Sequence, residues 1–188
     1  NDLNVSIYRN ANISNQLTIY VDNQLSSEIN IENADFNNEN NFYLLSVIID
    51  NDNLIIYLNE NQIFQENIAL SLNPQFIVGA DKENNAISNL WYGYIDEIRI
   101  WNRARSAVEI NADMNQSLLG NENGLAAYWN FDIGLVHDMT NQGSYGQLMG
   151  TASTQLADFP LVFRMLATNW FCTMFFPSKG WVSKKINR

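Results

Sequence analysis

Carboxylates are the side chains with which this chain is best equipped for chemistry. Asp96 lies in an apolar stretch, and Asp132 and Asp138 lie further along in a segment rich in turn residues. Hard cations such as Ca²⁺ prefer carboxylate and carbonyl oxygens, so these three residues are candidate metal ligands. The alternative is structural. Asp96 could cap turn amides or pair with Arg103, and the other two could hydrogen-bond their own backbone.

Catalysis would need groups that the sequence does not bring together. Cys172 and His137 are the only residues of their kinds, which argues against a disulfide, a structural zinc site and a cysteine–histidine nucleophile. A glycoside hydrolase needs two carboxylates that flank one bond. Asp96 and Glu97 are adjacent in a predicted strand and would point to opposite faces. We therefore predict no catalytic residues, and a protein that is not an enzyme.

A second candidate site combines aromatic rings with acidic and amide groups. Trp91 and Tyr92 precede the apolar stretch, and Asp81 and Asn84 belong to an acidic turn. Aromatic rings offer an apolar face on which the C–H surfaces of a sugar can stack. We predict that these four residues bind a ligand. The alternatives are aromatic residues packed in the core and a solvated loop tip.

Composition limits the class of protein and of partner. The 188 residues suit one domain, and the 46% hydrophobic share is enough for one core. The net charge of −10 would repel duplex nucleic acid, so no nucleic-acid partner is expected. Only 16% of residues are charged, and runs of Asn supply much of the remaining polarity. Asn favours turns, so this composition indicates short strands joined by many turns.

Period-two alternation of apolar and polar residues predicts strands through most of the chain. The strongest predicted strand runs from Tyr94 to Trp101, and another runs from Gly124 to Phe131. One helix is predicted at Ala107 to Met114, because Ser106 and Glu109 have the spacing of a capping box. Further strands are predicted at Ile63 to Leu72, Gln75 to Gly79 and Gln147 to Met149. The fold class is all-β: a two-sheet antiparallel jelly-roll β-sandwich with one short helix.

Alternation also assigns side chains of the strongest strand to faces. Asp96 falls on the face of Ile98 and Ile100, where a carboxylate needs compensation. Glu97 and Arg99 fall on the other face, where we expect a weak surface ion pair. We assign the two tryptophans of these strands to the core, namely Trp101 and Trp129.

The chain changes character after Pro160. Residues 161–188 contain no acidic residue but hold half of the basic ones, together with several aromatic residues. Such a segment could be a basic, aromatic tail that binds a membrane surface. The abrupt shift and the absence of a regular period favour a non-native or disordered end instead. We therefore predict a jelly-roll domain over residues 1–160 and an atypical tail over residues 161–188, and we do not expect membrane association.

Two motifs carry a resemblance to a known family. The segment Trp91–Arg105 reads WYGYIDEIRIWNRAR, and Gly124–Asp132 reads GLAAYWNFD. In this order they resemble the hallmark strands of laminin-G-like domains, a branch of the concanavalin A-like lectin and glucanase jelly rolls. The resemblance extends over about residues 40–150. The family's opening aromatic strands are not recognisable, so we expect the domain to lack its first strands.

The resemblance implies more about fold than about function, because this fold carries lectins, adhesion modules, enzymes and spacers. It implies a structural Ca²⁺ near the matching Asp96. We expect a non-catalytic carbohydrate-binding or adhesion module of a secreted or cell-surface protein, within a larger multidomain chain, with a glycan or a surface protein as its partner. The alternatives are a glycoside hydrolase of the same fold and a structural spacer.

Overall fold

The computed structural model describes residues 5–10, 12–21, 24–36, 42–68, 77–83, 86–88, 94–144, 146–148, 152–154, 166–168, 171–172 and 175–177. These residues form short strands and a single helix. In chain order they are β1 Val5–Arg9, β2 Gln16–Val21, β3 Gln24–Asn30, β4 Phe42–Asp50, β5 Asn53–Leu58, β6 Asn61–Asn67, β7 Asp81–Glu83, β8 Ala86–Ser88, β9 Ile98–Trp101, α1 Ala107–Met114, β10 Leu125–Trp129, β11 Leu166–Thr168, β12 Phe171–Cys172 and β13 Phe175–Pro177.

The chain divides into two compact units. The first contains an antiparallel sheet in the order β1–β2–β3 and the small hairpin of β7 and β8. In the three-stranded sheet, Ile7 lies opposite Ile19, and Leu17 and Ile19 are almost fully buried. The neighbouring positions turn to the other face, where Tyr8 lies opposite Thr18. One face is therefore apolar and the other is polar and aromatic, as the alternation predicts.

The second unit contains the longer strands β4 and β5, which pair antiparallel, with β6 beyond β5. Strand β4 is buried at every position from Tyr43 to Ile49, which is typical of a strand covered on both faces. In β5 the burial alternates, so that Leu54, Ile56 and Leu58 enter the core. Strand β6 begins at Asn61 and ends at Asn67. Residues 69–72 of the predicted run lie outside the described residues.

The strands that carry the sequence motifs lie side by side. Strands β9 and β10 pair antiparallel, with Trp129 opposite Ile98 and a bulge between Leu125 and Ala127. Both strands are shorter than predicted, because a residue with positive φ lies beside each of them. Glu97 has a φ of 55° and Phe131 a φ of 54°. A left-handed residue interrupts the pleat, so β9 begins only after Glu97.

Parts of the predicted tail form short strands in this unit. Strand β11 pairs with β4 in parallel, and β12 pairs with β9 antiparallel. Strand β13 also pairs with β4. The pairings within β1–β3, within β4–β6, between β7 and β8, and of β9 with β10 and β12 are antiparallel. The division of the chain at residue 160 stays a prediction.

Two other predictions concern smaller elements. Residues 77–79 and 147–148 are described and are not in strands, and the rest of those two predicted strands lies outside the described residues. Among the tryptophans, Trp101 is buried as predicted, whereas Trp129 is only partly buried. No helix within the described part of the chain is long and apolar enough to cross a membrane.

The helix confirms the capping prediction. The Glu109 amide donates to Ser106 Oγ at 3.3 Å, and the Ser106 amide donates to Glu109 Oε2 at 2.9 Å. Arg103 Nη2 donates to Glu109 Oε1 at 2.6 Å. The Arg103 guanidinium and the Ser106 amide lower the pKa of Glu109 to about 2. This one carboxylate therefore joins the end of β9 to the first turn of the helix.

We expect Glu109→Gln to lose a stabilisation that depends on pH. Because the pKa of Glu109 falls from 4.5 to about 2 on folding, its contribution is complete above the higher value and is lost as the pH falls through the lower one. Both partners are partly exposed, so we expect wild type to exceed the variant by about 0.5–1 kcal/mol at neutral pH. Urea unfolding at pH 7 and pH 3 measures the difference, which should shrink in acid. A difference that grows in acid would contradict this assignment.

Candidate functional site

The centre of the second unit is a buried ion pair. Arg99 Nη2 lies 2.7 Å from Glu97 Oε2, and both residues are buried. The Tyr128 hydroxyl lies 2.9 Å and 2.8 Å from the two carboxylate oxygens of Glu97, to which it donates. The prediction of a surface ion pair here is wrong. Strand β9 is buried at all four positions, so the face that carries Arg99 is covered, and Glu97, just before the strand, is buried beside it.

Arg99 is held by the end of the helix as well. Its Nη1 donates to the Asp113 carbonyl at 3.1 Å, and its Nη2 donates to the Gln116 carbonyl at 2.8 Å. Carbonyls at a helix C-terminus carry partial negative charge, so they favour a cation. The guanidinium also lies 5.5 Å from the centre of the Tyr128 ring. The buried positive charge thus has several polar neighbours, as the cost of desolvation requires.

Asp96 lies immediately before this cluster and is partly buried. Its Oδ1 accepts a hydrogen bond of 2.8 Å from the Glu97 amide. Burial, together with the negative charges of Glu97 and Asp132, raises the pKa of Asp96 to about 7. The suggested pairing with Arg103 is not made, since that arginine pairs with Glu109. The hydrogen bond of Asp96 is instead to the amide of the next residue, which directly precedes β9.

Asp132 lies in the loop that follows β10. It comes directly after Phe131, whose backbone is left-handed, and its side chain is exposed. Its Oδ2 accepts a hydrogen bond of 2.7 Å from Asn130 Nδ2. Its charge contributes to the raised pKa of Asp96. The charge of Asp132 thus acts on Asp96 across a sequence separation of 36 residues.

Asp138 is engaged in holding its own loop. Its Oδ1 accepts from the Tyr128 amide at 3.1 Å and from the Thr140 amide and hydroxyl at 2.9 Å and 2.8 Å. Its Oδ2 accepts from the Ser144 amide at 3.1 Å. Burial works to raise the pKa of Asp138, but these hydrogen bonds outweigh it and lower the pKa overall. This arrangement matches the turn chemistry that was the alternative to metal binding.

The carboxylates of Asp96 and Asp132 are more available to a hard cation than that of Asp138. Both of the first two carboxylates have an oxygen to which no hydrogen bond is assigned among the described residues. The described residues contain no group of three or more His, Cys, Asp or Glu that could hold a metal ion. Ca²⁺ would therefore need carbonyl, amide or water oxygens to complete its shell, as it commonly does. The three assignments stay predictions.

Of the four predicted ligand-binding residues, only Asp81 lies within the described residues. Asp81 begins β7, where it lies opposite Ser88. Asn84, Trp91 and Tyr92 lie outside the described residues. Their proposed contact with a ligand stays a prediction.

Sequence reasoning missed the polar, aromatic face of β1–β3. Tyr8 and Tyr20 meet there edge to face, with ring centres 5.6 Å apart and an interplanar angle of 84°. Gln16 Nε2 donates to Asn30 Oδ1 at 3.1 Å, and Asn10 Nδ2 donates to Gln16 Oε1. The alternation that identified these strands contained the signal, because the aromatic rings occupy the polar positions.

We expect Arg99→Met to destabilise the protein by about 3–5 kcal/mol, because it leaves the Glu97 carboxylate buried without its cation. The double variant Glu97→Gln/Arg99→Met removes both charges and should recover part of this loss. Urea unfolding of wild type and the two variants measures the free energies. A loss of less than about 1 kcal/mol in Arg99→Met would show that the ion pair contributes no more than an exposed one does.

Comparison with known proteins gives the family. A family model described as the concanavalin A-like lectin/glucanases superfamily matches residues 2–111, more than half of the chain. Searches of curated proteins and of solved structures found no match. The antiparallel sheets and the single helix are those of a β-sandwich of this class. The chain belongs to the concanavalin A-like lectin/glucanase superfamily, as a laminin-G-like domain.

Proposed function

We propose that the protein is a non-catalytic carbohydrate-binding or adhesion module of a secreted or cell-surface protein. The single observation that carries this proposal is the polar, aromatic face of β1–β3, which we call the tyrosine face and define by Tyr8, Tyr20, Gln16, Thr18 and Asn30. A lectin-like role also suits the superfamily.

Two tyrosines at right angles suit a sugar ring. When one phenol ring stacks on the apolar C–H face of a pyranose, the other can meet the edge of the sugar with its own face or hydroxyl. Tyr8 and Tyr20 are both partly exposed, so each has a solvent-accessible portion. Their edge-to-face contact also restricts their rotamers, which lowers the entropy lost on binding.

Asn30, an exposed amide beside the rings, can supply hydrogen bonds that a glycan requires. A side-chain amide both donates and accepts, as do sugar hydroxyls. Gln16 is buried between Asn10 and Asn30 and bonds to both, so its orientation is fixed in advance. Asn30 is exposed and stands at the edge of this group. Preorganised polar groups next to an aromatic platform favour a neutral oligosaccharide as the ligand.

A glycan array identifies the glycans that wild type binds. We expect Tyr20→Ala to weaken binding to any of them by at least about tenfold, or 1.4 kcal/mol. Tyr57→Ala, which truncates a partly buried tyrosine of β5, is the matched control and should bind as wild type does. Calorimetric titration of the glycan measures both. Trp91→Ala tests the sequence-predicted residues in parallel. If glycan binding is lost in Trp91→Ala and kept in Tyr20→Ala, the site lies at the sequence-predicted residues and not at the tyrosine face.

An array that stays blank with and without calcium would favour the spacer alternative. The hydrolase alternative draws support from one observation, the raised pKa of Asp96 beside a second carboxylate. Hydrolysis of a β-glucan by wild type, lost in Asp96→Asn, would replace the non-catalytic proposal.

The second part of the proposal is a structural Ca²⁺ at Asp96 and Asp132. Two carboxylates close enough for one to raise the pKa of the other repel each other, and a divalent cation would relieve this repulsion. When bound, the ion would supply positive charge that fixes the loop after β10 against the start of β9. Asp96 and Asp132 would hold it.

We expect millimolar Ca²⁺ to raise the melting temperature of wild type by several degrees, because a ligand that binds only the folded state stabilises it. The rise should disappear in Asp96→Asn and shrink in Asp132→Asn. Glu60→Gln removes an exposed carboxylate in another turn and is the control, with the full rise expected. Equal rises in wild type and Asp96→Asn, or no rise in wild type, would remove calcium from this site.

A further inference from the structure

A carboxylate shares the tyrosine face with the two aromatic rings. Glu28 of β3 lies opposite Thr18 of β2, and Thr18 lies opposite Tyr8 of β1. Residues directly opposite each other in an antiparallel pair of strands point to the same face. The hydrogen bond from Gln16 to Asn30, a pair two positions along the same strands, agrees with this assignment. Tyr8, Thr18 and Glu28 therefore form one row across the sheet.

This row places the carboxylate within reach of a sugar that stacks on a ring. Neighbouring strands lie about 4.8 Å apart, so the backbones of Tyr8 and Glu28 are about 10 Å apart. Tyr8 is partly exposed and Glu28 is exposed, whereas Thr18 between them is buried. A disaccharide is long enough to contact both exposed side chains. The row therefore offers an apolar surface at one end and a strong hydrogen-bond acceptor at the other.

No cation of these strands neutralises Glu28. Within the described strands β1–β3, Arg9 and Glu28 are the only charged residues. Arg9 lies opposite Leu17 on the apolar face, and its Nη1 donates to the Phe36 carbonyl at 2.8 Å. No hydrogen bond or ion pair of the Glu28 carboxylate is assigned among the described residues. Both carboxylate oxygens are therefore available to a ligand.

We propose that Glu28 determines the specificity of the tyrosine face: its carboxylate accepts hydrogen bonds from two adjacent hydroxyls of a neutral sugar and excludes sugars that carry carboxylate or sulfate groups. This inference rests on the carbohydrate site of the proposed function and names the class of glycan. A carboxylate has two acceptor oxygens, and hydrogen bonds to a charged acceptor are stronger than those to a neutral one. An anionic group offers no donor and brings like charges together.

The charge of the whole chain acts in the same direction but does not decide the choice of glycan. The net charge of −10 repels anions at long range. In 0.1 M salt this repulsion is largely screened beyond about 10 Å, so the charges nearest the bound sugar discriminate most strongly. On the tyrosine face, Glu28 is the charge that the strands supply.

The test compares wild type with Glu28→Gln on an array of neutral, uronic-acid and sulfated oligosaccharides. Glutamine keeps the length of the side chain and one acceptor oxygen but removes the charge. We expect wild type to bind neutral glycans only. Glu28→Gln should bind them at least about fivefold more weakly in calorimetric titrations and should also bind acidic glycans. Glu60→Gln removes the same charge from an exposed turn of the second unit and should behave as wild type does.

The outcomes separate this inference from the proposed function. If wild type binds glycans and Glu28→Gln binds the same set equally well, the role of Glu28 is overturned while carbohydrate binding stands. Glu28 would then be an edge-strand charge that prevents aggregation. A wild type that prefers acidic glycans would overturn the inference as well. An array that stays blank for wild type would overturn both proposals.

Ionic strength tests the exclusion of acidic glycans on wild type alone. At about 1 M salt the Debye length falls to about 3 Å, so the repulsion between an exposed Glu28 and an anionic sugar is largely screened. Titration with an acidic glycan that Glu28→Gln binds should therefore show binding to wild type in about 1 M NaCl and not at low ionic strength. The affinity for a neutral glycan should change little. Exclusion that persists at high salt would be steric and would overturn the inference.

Discussion

The second unit is organised around one buried carboxylate, that of Glu97. A charge removed from water costs several kcal/mol, and the fold retains it only because Arg99 and Tyr128 both bind it. Arg99 in turn is bound by carbonyls at the end of the helix. The ion pair therefore links the start of β9, the strand β10 and the C-terminal end of α1 through polar contacts of fixed geometry.

This constraint explains why the motif strands are short. Glu97 has a left-handed backbone, which interrupts the pleat, so β9 begins only after it. Asp96 then lies outside β9, at the point where the strand begins. The same change of direction occurs after β10 at Phe131, immediately before Asp132. Both carboxylates are thus placed by residues that interrupt a strand, and the strands themselves supply the rigid support.

Helix α1 is also linked to β9 by contacts of Arg105, which precedes its N-terminus. Arg105 lies 3.8 Å from the centre of the Trp101 ring and pairs with both Glu109 and Asp113. The cation is buried, and a face-on contact with an indole compensates part of its desolvation. Arg105, in the segment after β9, therefore fixes the helix to that strand through polar and ring contacts. This explains why basic residues follow the strand so closely in a chain that is otherwise acidic.

The two units offer different chemistry. The first has two partly exposed tyrosines and an exposed amide, Asn30, which suit neutral ligands that stack and exchange hydrogen bonds. In the second, the charge of Asp132 helps to raise the pKa of Asp96, and two such carboxylates suit a hard cation. Carbohydrate recognition and structural cation binding are thus proposed for different groups of residues, so substitutions in one group leave the other chemically intact.

The sequence by itself determined the fold class, the helix with its cap and most strands, because each depends on local period and local hydrogen bonds. Ser106 and Glu109 needed no distant partner to be identified. Only the tertiary structure decided that Glu97 and Arg99 are buried, since their neighbours in space, Tyr128 and the end of α1, are distant in sequence. It also decided that the charge of Asp132 acts on Asp96 and that Asp138 binds the amides of its own loop. Alternation assigns a residue to a face, but the cost of burying a charge depends on partners that only the folded chain supplies.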